Sequence, residues 1–168
     1  MKTKTIVILT IVAITGLFVW GYSTRSGTPA SVQGVSQDNS QALLTISETL
    51  YDFGSISMKD GNVSTEFTLT NPTTEDVTLS KVFTSCMCTN AFIVDPNGSA
   101  KGPFGMPGHG AVPPANEVIK AGESRIIRVV YDPNAHGPAG VGKINRFVTL
   151  TDSSGNTLQL EIKATVTP

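Results

Sequence analysis

Residues 158–166 read Leu-Gln-Leu-Glu-Ile-Lys-Ala-Thr-Val, and they indicate the class of the fold. Apolar and polar residues alternate strictly through this stretch, as they do in a β-strand with one buried and one solvent-facing side. The same alternation runs from Val63 to Thr70 and from Ile126 to Tyr131, and Ile144–Thr151 forms a further predicted strand. Turn sequences separate these stretches, and no helical periodicity interrupts them. The sequence therefore predicts an all-β, antiparallel β-sandwich.

Composition narrows the class of protein further. The chain of 168 residues suits one domain with a tail, and its 16 glycines and 10 prolines favour short strands joined by tight turns. The formal net charge is -1 and the basic residues are scattered, so no nucleic-acid-binding face is predicted. Two cysteines are too few for a disulfide framework.

Residues 1–22 have the pattern of an export signal. Lys2 and Lys4 precede an apolar run from Ile6 to Trp20, and no acidic residue occurs before Asp38. The apolar segment is long enough to cross a membrane as a hydrophobic helix. Two outcomes remain open, a signal anchor that stays in the membrane and a signal peptide that is removed. We expect the anchor, with the following domain on the exported side of the cytoplasmic membrane, periplasmic or extracellular.

The rest of the chain divides into a linker and a folded domain. Residues 23–41 are mainly Ser, Gly, Thr, Gln and Asn, which is typical of a flexible linker. The domain is predicted to span residues 42–168. The membrane is therefore one predicted partner, reached through the N-terminal segment, and the cell envelope is the predicted location.

The motif Ser85-Cys86-Met87-Cys88-Thr89 contains both cysteines of the chain. We expect it to continue a strand, in which residues two apart face the same side. Cys86 and Cys88 would then present parallel thiols with Cα atoms about 6.5 Å apart. Two thiolates that face one way suit a soft metal, whereas a disulfide between them requires the backbone to bend.

Three further residues complete the predicted metal site. Met106 and His109 lie in a Gly/Pro-rich stretch, and His136 lies in a second loop of that kind. A thioether and imidazole nitrogens added to two thiolates favour Cu(I). His136 is expected to reach the cysteines if the chain from the motif to Pro114 is one connection at their end of the sandwich. A strand that crosses the sheet at residues 91–94 would prevent this approach.

Two other functions remain open for the same motif. One is a thiol–disulfide redox protein that cycles Cys86 and Cys88. The other is a protein-interaction module whose edge strands pair with an envelope partner while the cysteines only pack. An enzyme is not expected, because the chain has no Gly-x-Ser-x-Gly element and no acidic residue close to His109 in sequence to orient its ring.

Five short motifs occur together in the domain. They are Asp52-Phe53-Gly54, Phe67 with Asn71, Ser85-Cys86-x-Cys88-Thr89, Gly122-Glu123 and Tyr131-Asp132-Pro133. Together they resemble the bacterial envelope family called domain of unknown function 1573, over about Leu43 to Val166. The resemblance implies an immunoglobulin-like sandwich located in the cell envelope. Met87 stands where the family usually has Gly, and residues 102–110 form a longer segment than the family pattern.

Overall fold

The computed structural model describes residues 43–168, which contain ten β-strands and two short 3-10 helices. The strands are β1 (Thr45–Ile46), β2 (Leu50–Ser57), β3 (Val63–Thr70), β4 (Val77–Thr84), β5 (Thr89–Val94), β6 (Ala100–Phe104), β7 (Glu117–Ile119), β8 (Ser124–Tyr131), β9 (Gly142–Asp152) and β10 (Thr157–Thr167). The 3-10 helices are Met58–Asp60 and Gly137–Gly140. Within the described range, no helix is long and apolar enough to cross a membrane. The predicted hydrophobic helix of residues 1–22 and the linker of residues 23–41 lie outside it.

The strands form two five-stranded sheets, which confirms the predicted all-β sandwich. The order is β1-β3-β8-β5-β6 in the first sheet and β2-β10-β9-β4-β7 in the second. The core lies between the sheets and takes its side chains from the alternating apolar positions of the strands. The residues that the sequence predicts to be buried are all buried: Phe67, Leu69, Val129, Tyr131, Leu160 and Ile162.

One strand pairing differs from the predicted antiparallel arrangement. β2 pairs with β10 in parallel, with Leu50 opposite Glu161 and Ser57 opposite Thr167. A hairpin forces its two strands to be antiparallel, but β2 and β10 are distant in sequence and no hairpin joins them. The chain reaches this position by leaving the first sheet after β1 and entering the second at β2. Residues 51–54, which the sequence analysis did not identify as a strand, therefore belong to β2.

Gly54 lies inside β2 and shows why this strand is hard to recognise. Its φ of 69° is in the left-handed region, which Gly adopts without the steric cost that a side chain would add. The register between β2 and β10 shifts nearby, between Lys163 and Thr165. From sequence alone, a glycine at a strand irregularity of this kind is easily taken as the sign of a turn.

One end of the sandwich brings the candidate site together, and we call it the cysteine pole. It consists of residues 85–88 between β4 and β5, residues 132–141 between β8 and β9, and the first residues of β9. The pairing of Thr89 with Tyr131 fixes the end of β8 beside the start of β5. A hydrogen bond from the Ser85 amide to the Phe147 carbonyl (2.9 Å) fixes β9 beside the end of β4.

Candidate functional site

The two cysteines lie in a tight turn rather than in a strand. The Thr89 amide donates to the Cys86 carbonyl (3.1 Å), and the Cα atoms of Cys86 and Cys88 are 5.2 Å apart. The two sulfurs are joined in a disulfide. The prediction of parallel thiols on a strand is therefore wrong, because β4 ends at Thr84 and the chain bends to cross from the second sheet to the first. The bend supplies the backbone change that a disulfide requires.

The polar residues of the motif hold this turn in place. The Thr84 hydroxyl lies 3.0 Å from the carbonyl oxygens of both Cys86 and Thr89. The Ser85 hydroxyl accepts a hydrogen bond from the Phe147 amide (2.9 Å), so a side chain continues the pairing between β4 and β9. The Cys88 amide donates to the Cys86 sulfur at 3.3 Å. The turn is thus fixed by its own sequence, and the sulfurs are held in one position.

An imidazole lies against the first sulfur. His136 Nε2 is 3.1 Å from Cys86 Sγ, although the two residues are 50 positions apart. The loop that carries His136 is tied to the cysteine turn, because the Asp132 amide donates to the Cys88 carbonyl (2.8 Å). Gly140 lies near this residue, and a Cβ added to it would meet His136 Cβ and the Pro133 carbonyl oxygen at 3.4 Å.

A guanidinium group lies against the second sulfur. Arg146 Nε donates to Cys88 Sγ at 3.2 Å, and a second nitrogen of the group donates to the Asn145 carbonyl (2.9 Å). Within residues 43–168, Arg146 forms no ion pair with a carboxylate. The sulfur is therefore the polar side-chain group that this cation meets. A cation beside sulfur favours the thiolate over the thiol once the disulfide is reduced.

The two cysteine residues differ in burial. Cys88 is 1% exposed and belongs to the core, whereas Cys86 is only partly buried at the edge of the core. Met87, between them, is 48% exposed at the tip of the turn. An incoming group therefore meets Cys86 first, while Cys88 faces the protein interior and Arg146.

The structure brings together only part of the predicted ligand set. The donor atoms of Cys86, Cys88 and His136 all lie within 4.8 Å of one another. His109 is not a member of this group; it is exposed, and its amide donates to the Met106 carbonyl (3.2 Å) within their own loop. Met106 is partly buried in that loop. Its role as a metal ligand stays a prediction.

The topology explains how His136 reaches the cysteine pole although a crossing strand at residues 91–94, which was expected to prevent this approach, is present. Residues 89–94 are a crossing strand, β5, so the chain between the motif and Pro114 is not a single connection as predicted. β6 then returns the chain, and the Thr84 amide binds the Gly105 carbonyl (3.1 Å). The loop after β6 then leads away from the cysteine pole, since the Ala115 amide donates to the carbonyl of Ser80 in the middle of β4 (2.9 Å). β8 ends at the cysteine pole and delivers His136 there.

Arg146 is the site residue that the sequence analysis missed. It lies in β9 between Ile144 and Val148, at an alternating position whose other members are buried. A cation at a core-facing position needs a polar partner, because an unpaired buried charge is costly. A charged residue in a row of apolar ones is therefore the sequence signal that could have identified Arg146 as a site residue.

The fold and the site define a class: a two-sheet β-sandwich domain with a Cys-x-Cys disulfide turn at one end, flanked by His and Arg. Residues 44–97 match the family model described as "Protein of unknown function (DUF1573)", which confirms the predicted resemblance to that family. The matched segment contains Cys86 and Cys88 but ends before His136 and Arg146. No curated protein matches the chain.

Solved structures are similar to this chain at low sequence identity. A protein of unknown function from Porphyromonas gingivalis W83 has a TM-score of 0.52 and 16% identity, over 73% of this chain and 46% of that one. The secreted serine protease VesC from Vibrio cholerae has a TM-score of 0.47 and 16% identity, over 77% of this chain and 24% of that one. The ASH/PapD-like domain of human CEP192 has a TM-score of 0.47 and 12% identity, over 74% of this chain and 85% of that one.

The chain thus spans less than half the length of the first two of these proteins. Likeness at this level of identity concerns the fold alone.

Proposed function

We propose that this protein is an immunoglobulin-like thiol–disulfide redox domain of the cell envelope. One observation carries the proposal: the Cys86–Cys88 disulfide has an imidazole against one sulfur and a guanidinium against the other. Basic groups beside cysteine sulfurs favour the thiolate, which is the reactive form in thiol–disulfide exchange. They therefore favour the reduced pair and make the disulfide a better oxidant.

The difference in burial between Cys86 and Cys88 determines which cysteine is attacked and which one leaves. A thiolate of a partner protein attacks the sulfur of Cys86, the less buried cysteine, and the Cys86–Cys88 bond breaks. Cys88 leaves with the bonding electron pair as a thiolate beside Arg146. A second thiolate of the partner then attacks its own sulfur in the mixed disulfide and releases Cys86 as a thiolate next to His136. The partner gains a disulfide, and the domain gains two electrons.

The rest of the proposal concerns where and how the domain works. We place it outside the cytoplasmic membrane, tethered through residues 1–22, where disulfides persist. Its partner is an envelope protein with a pair of free thiols, and the domain acts as a redox partner rather than as an enzyme with a substrate pocket. Soft-metal binding, the other function that the motif suggests, belongs to the reduced state, because sulfurs bonded to each other are not thiolate ligands.

The test is equilibration of the full chain with glutathione buffers, with thiols counted at each ratio of reduced to oxidised glutathione. We expect Arg146→Gln to lower the midpoint potential by about 30 mV, which is about tenfold in the exchange equilibrium. Arg146→Lys keeps the charge and should recover part of the shift.

Arg128→Gln is the matched control for loss of an arginine. Arg128 pairs with Glu66 (2.9 Å) rather than with a cysteine sulfur, so its loss should leave the midpoint unchanged. A disulfide that resists every glutathione ratio, or an equal shift in both Gln variants, would contradict the redox proposal.

A further inference from the structure

We propose that the reduced site binds one Cu(I) ion through Cys86, Cys88 and His136. This inference rests on the proposed function in one respect: the disulfide must open before its sulfurs can act as ligands. The site would then have two mutually exclusive states, a disulfide without metal and a dithiolate with Cu(I). The redox state of the cysteine pair would therefore regulate whether the domain holds the ion.

The positions of the three donor atoms support this ligand set. Cys86 Sγ, Cys88 Sγ and His136 Nε2 lie within 4.8 Å of one another, and the imidazole nitrogen is already 3.1 Å from Cys86. The bond from the Asp132 amide to the Cys88 carbonyl (2.8 Å) and the adjoining pairing of Thr89 with Tyr131 hold the two segments together. The ligands thus converge before any ion arrives, and reduction needs to separate only the two sulfurs.

The chemistry of the three donors favours a soft ion, and we assign Cu(I). Thiolates favour Cu(I), while magnesium and calcium favour oxygen ligands that this site does not offer. Structural zinc sites usually take four protein ligands, and the described cluster supplies three. Two thiolates and one Cu(I) carry a net charge of about -1. The guanidinium of Arg146, which contacts Cys88 Sγ at 3.2 Å, balances that charge.

The change between the two states balances in electrons and protons. A dithiol reductant transfers two electrons and two protons to the disulfide, becomes a disulfide itself, and leaves Cys86 and Cys88 as thiols. Cu(I) then replaces the two thiol protons and binds the imidazole nitrogen of His136. In the reverse direction, a disulfide oxidant takes two electrons from the thiolates, the sulfur–sulfur bond forms, and Cu(I) is released without changing its own oxidation state.

The experiment is a competition titration of the reduced full chain in detergent, with Cu(I) held by a chromogenic chelator. We expect one Cu(I) per reduced chain and none per oxidised chain. Cys86→Ser and Cys88→Ser should each abolish tight binding. Binding to the oxidised chain, or no binding to the reduced chain, would overturn the proposal.

The two histidines supply the sharpest comparison. His136→Ala should weaken Cu(I) binding by at least about tenfold. Substituting a residue that only hydrogen-bonds to a metal ligand already lowers metal affinity by about that factor. His109→Ala is the matched control and should leave the affinity unchanged. Both residues are exposed, so neither substitution should disturb the fold. Equal effects of the two variants would overturn the assignment of His136.

The outcome separates this inference from the redox proposal. The chain enters the titration already reduced by a chemical reductant, so Cu(I) binding is measured even if glutathione never exchanges with the disulfide. Conversely, a normal glutathione midpoint together with no Cu(I) binding would leave the redox function standing and end the metal assignment.

Discussion

Asn71, one of the motif residues named above, is completely buried and joins the loop after β3 to the end of β7. Its side-chain amide donates to the carbonyls of Glu75 (2.8 Å) and Ile119 (2.9 Å). Its side-chain oxygen accepts from the Thr73 amide (3.0 Å) and hydroxyl (2.7 Å). The residue therefore has a structural role, in which one side chain replaces several backbone pairings.

We expect Asn71→Ala to lower the free energy of unfolding by about 1–3 kcal/mol, because it leaves buried backbone groups without partners. Urea unfolding of the full chain measures the change. Asn62→Ala is the control, since Asn62 is exposed and should change stability by less than about 0.5 kcal/mol. An equal effect of the two substitutions would show that the hydrogen bonds of Asn71 add nothing.

Tyr131 gives the fold a dependence on alkaline pH. Burial raises the pKa of Tyr131 above its ordinary value of 10.0; nearby Arg146 opposes this shift and Asp132 adds to it. The unfolded chain thus releases the phenol proton at a lower pH than the folded chain. The resulting stability is complete below about pH 10 and is lost as the pH rises through the folded pKa.

Urea unfolding from about pH 8 to about pH 11 tests this effect. The free energy of unfolding should fall above about pH 10, and Tyr131→Phe should remove part of that fall. Tyr51→Phe, at a residue that is 41% exposed, is the control and should keep the full decrease. A Tyr131→Phe profile identical to that of the unmodified chain would refute this origin.

Strand β3 shows how alternation translates into stability. Phe67 lies opposite Ile127 of β8 and is 4% exposed, while its neighbour Thr68 faces solvent. Phe67→Ala removes a buried aromatic ring and should cost about 3–5 kcal/mol. Thr68→Ala, one position away on the other face, should cost far less. Comparable losses measured by chemical denaturation would show that the strand's register is misassigned.

The elements that were predictable from sequence are those with long, regular alternation. β3, β8 and β10 each bury one face, so their apolar residues record the fold directly. β2 was missed because Gly54 and the exposed Leu50 and Tyr51 give it no such pattern. The parallel pairing of β2 depends on where a distant strand lies, which local periodicity does not encode.

The site was predictable to a similar extent. The cysteine motif and His136 stand out by residue type, and the structure brings them together. The single connection predicted between the motif and Pro114 was wrong, because β5 and β6 lie within it. His109 lies in the loop after β6 and is not one of the grouped donors. Arg146 has no motif, and only its position between Ile144 and Val148 marks it.

The domain as a whole uses its two inward-facing arginines in different ways. Arg125 is 9% exposed and lies against Glu117 (2.9 Å), Glu123 (3.1 Å) and Asp95 (3.3 Å). Burial acts to lower the pKa of Arg125, but Glu117 and Glu123 outweigh it and raise the pKa. This cation is neutralised by carboxylates and has a structural role. Arg146, by contrast, contacts the Cys88 sulfur at the cysteine pole, where we propose that its charge favours the thiolate.

The proposed location makes a prediction for the intact protein. If residues 1–22 are a signal anchor, the chain keeps its N-terminal residues and sediments with the membrane fraction, because an apolar helix partitions into the bilayer. N-terminal sequencing of the fractionated protein checks this. A soluble envelope form that begins near Thr24 would contradict the anchor and leave export intact.

The parallel pairing of β2 with β10 has a mechanical consequence for such a protein. The two strands lie side by side from Leu50 opposite Glu161 to Ser57 opposite Thr167, and the Thr49 carbonyl and Ile56 carbonyl add bonds to β10. A force that pulls the start of β2 and the end of β10 apart acts along both strands in opposite directions. It therefore loads their hydrogen bonds in shear, all together, instead of opening them one after another.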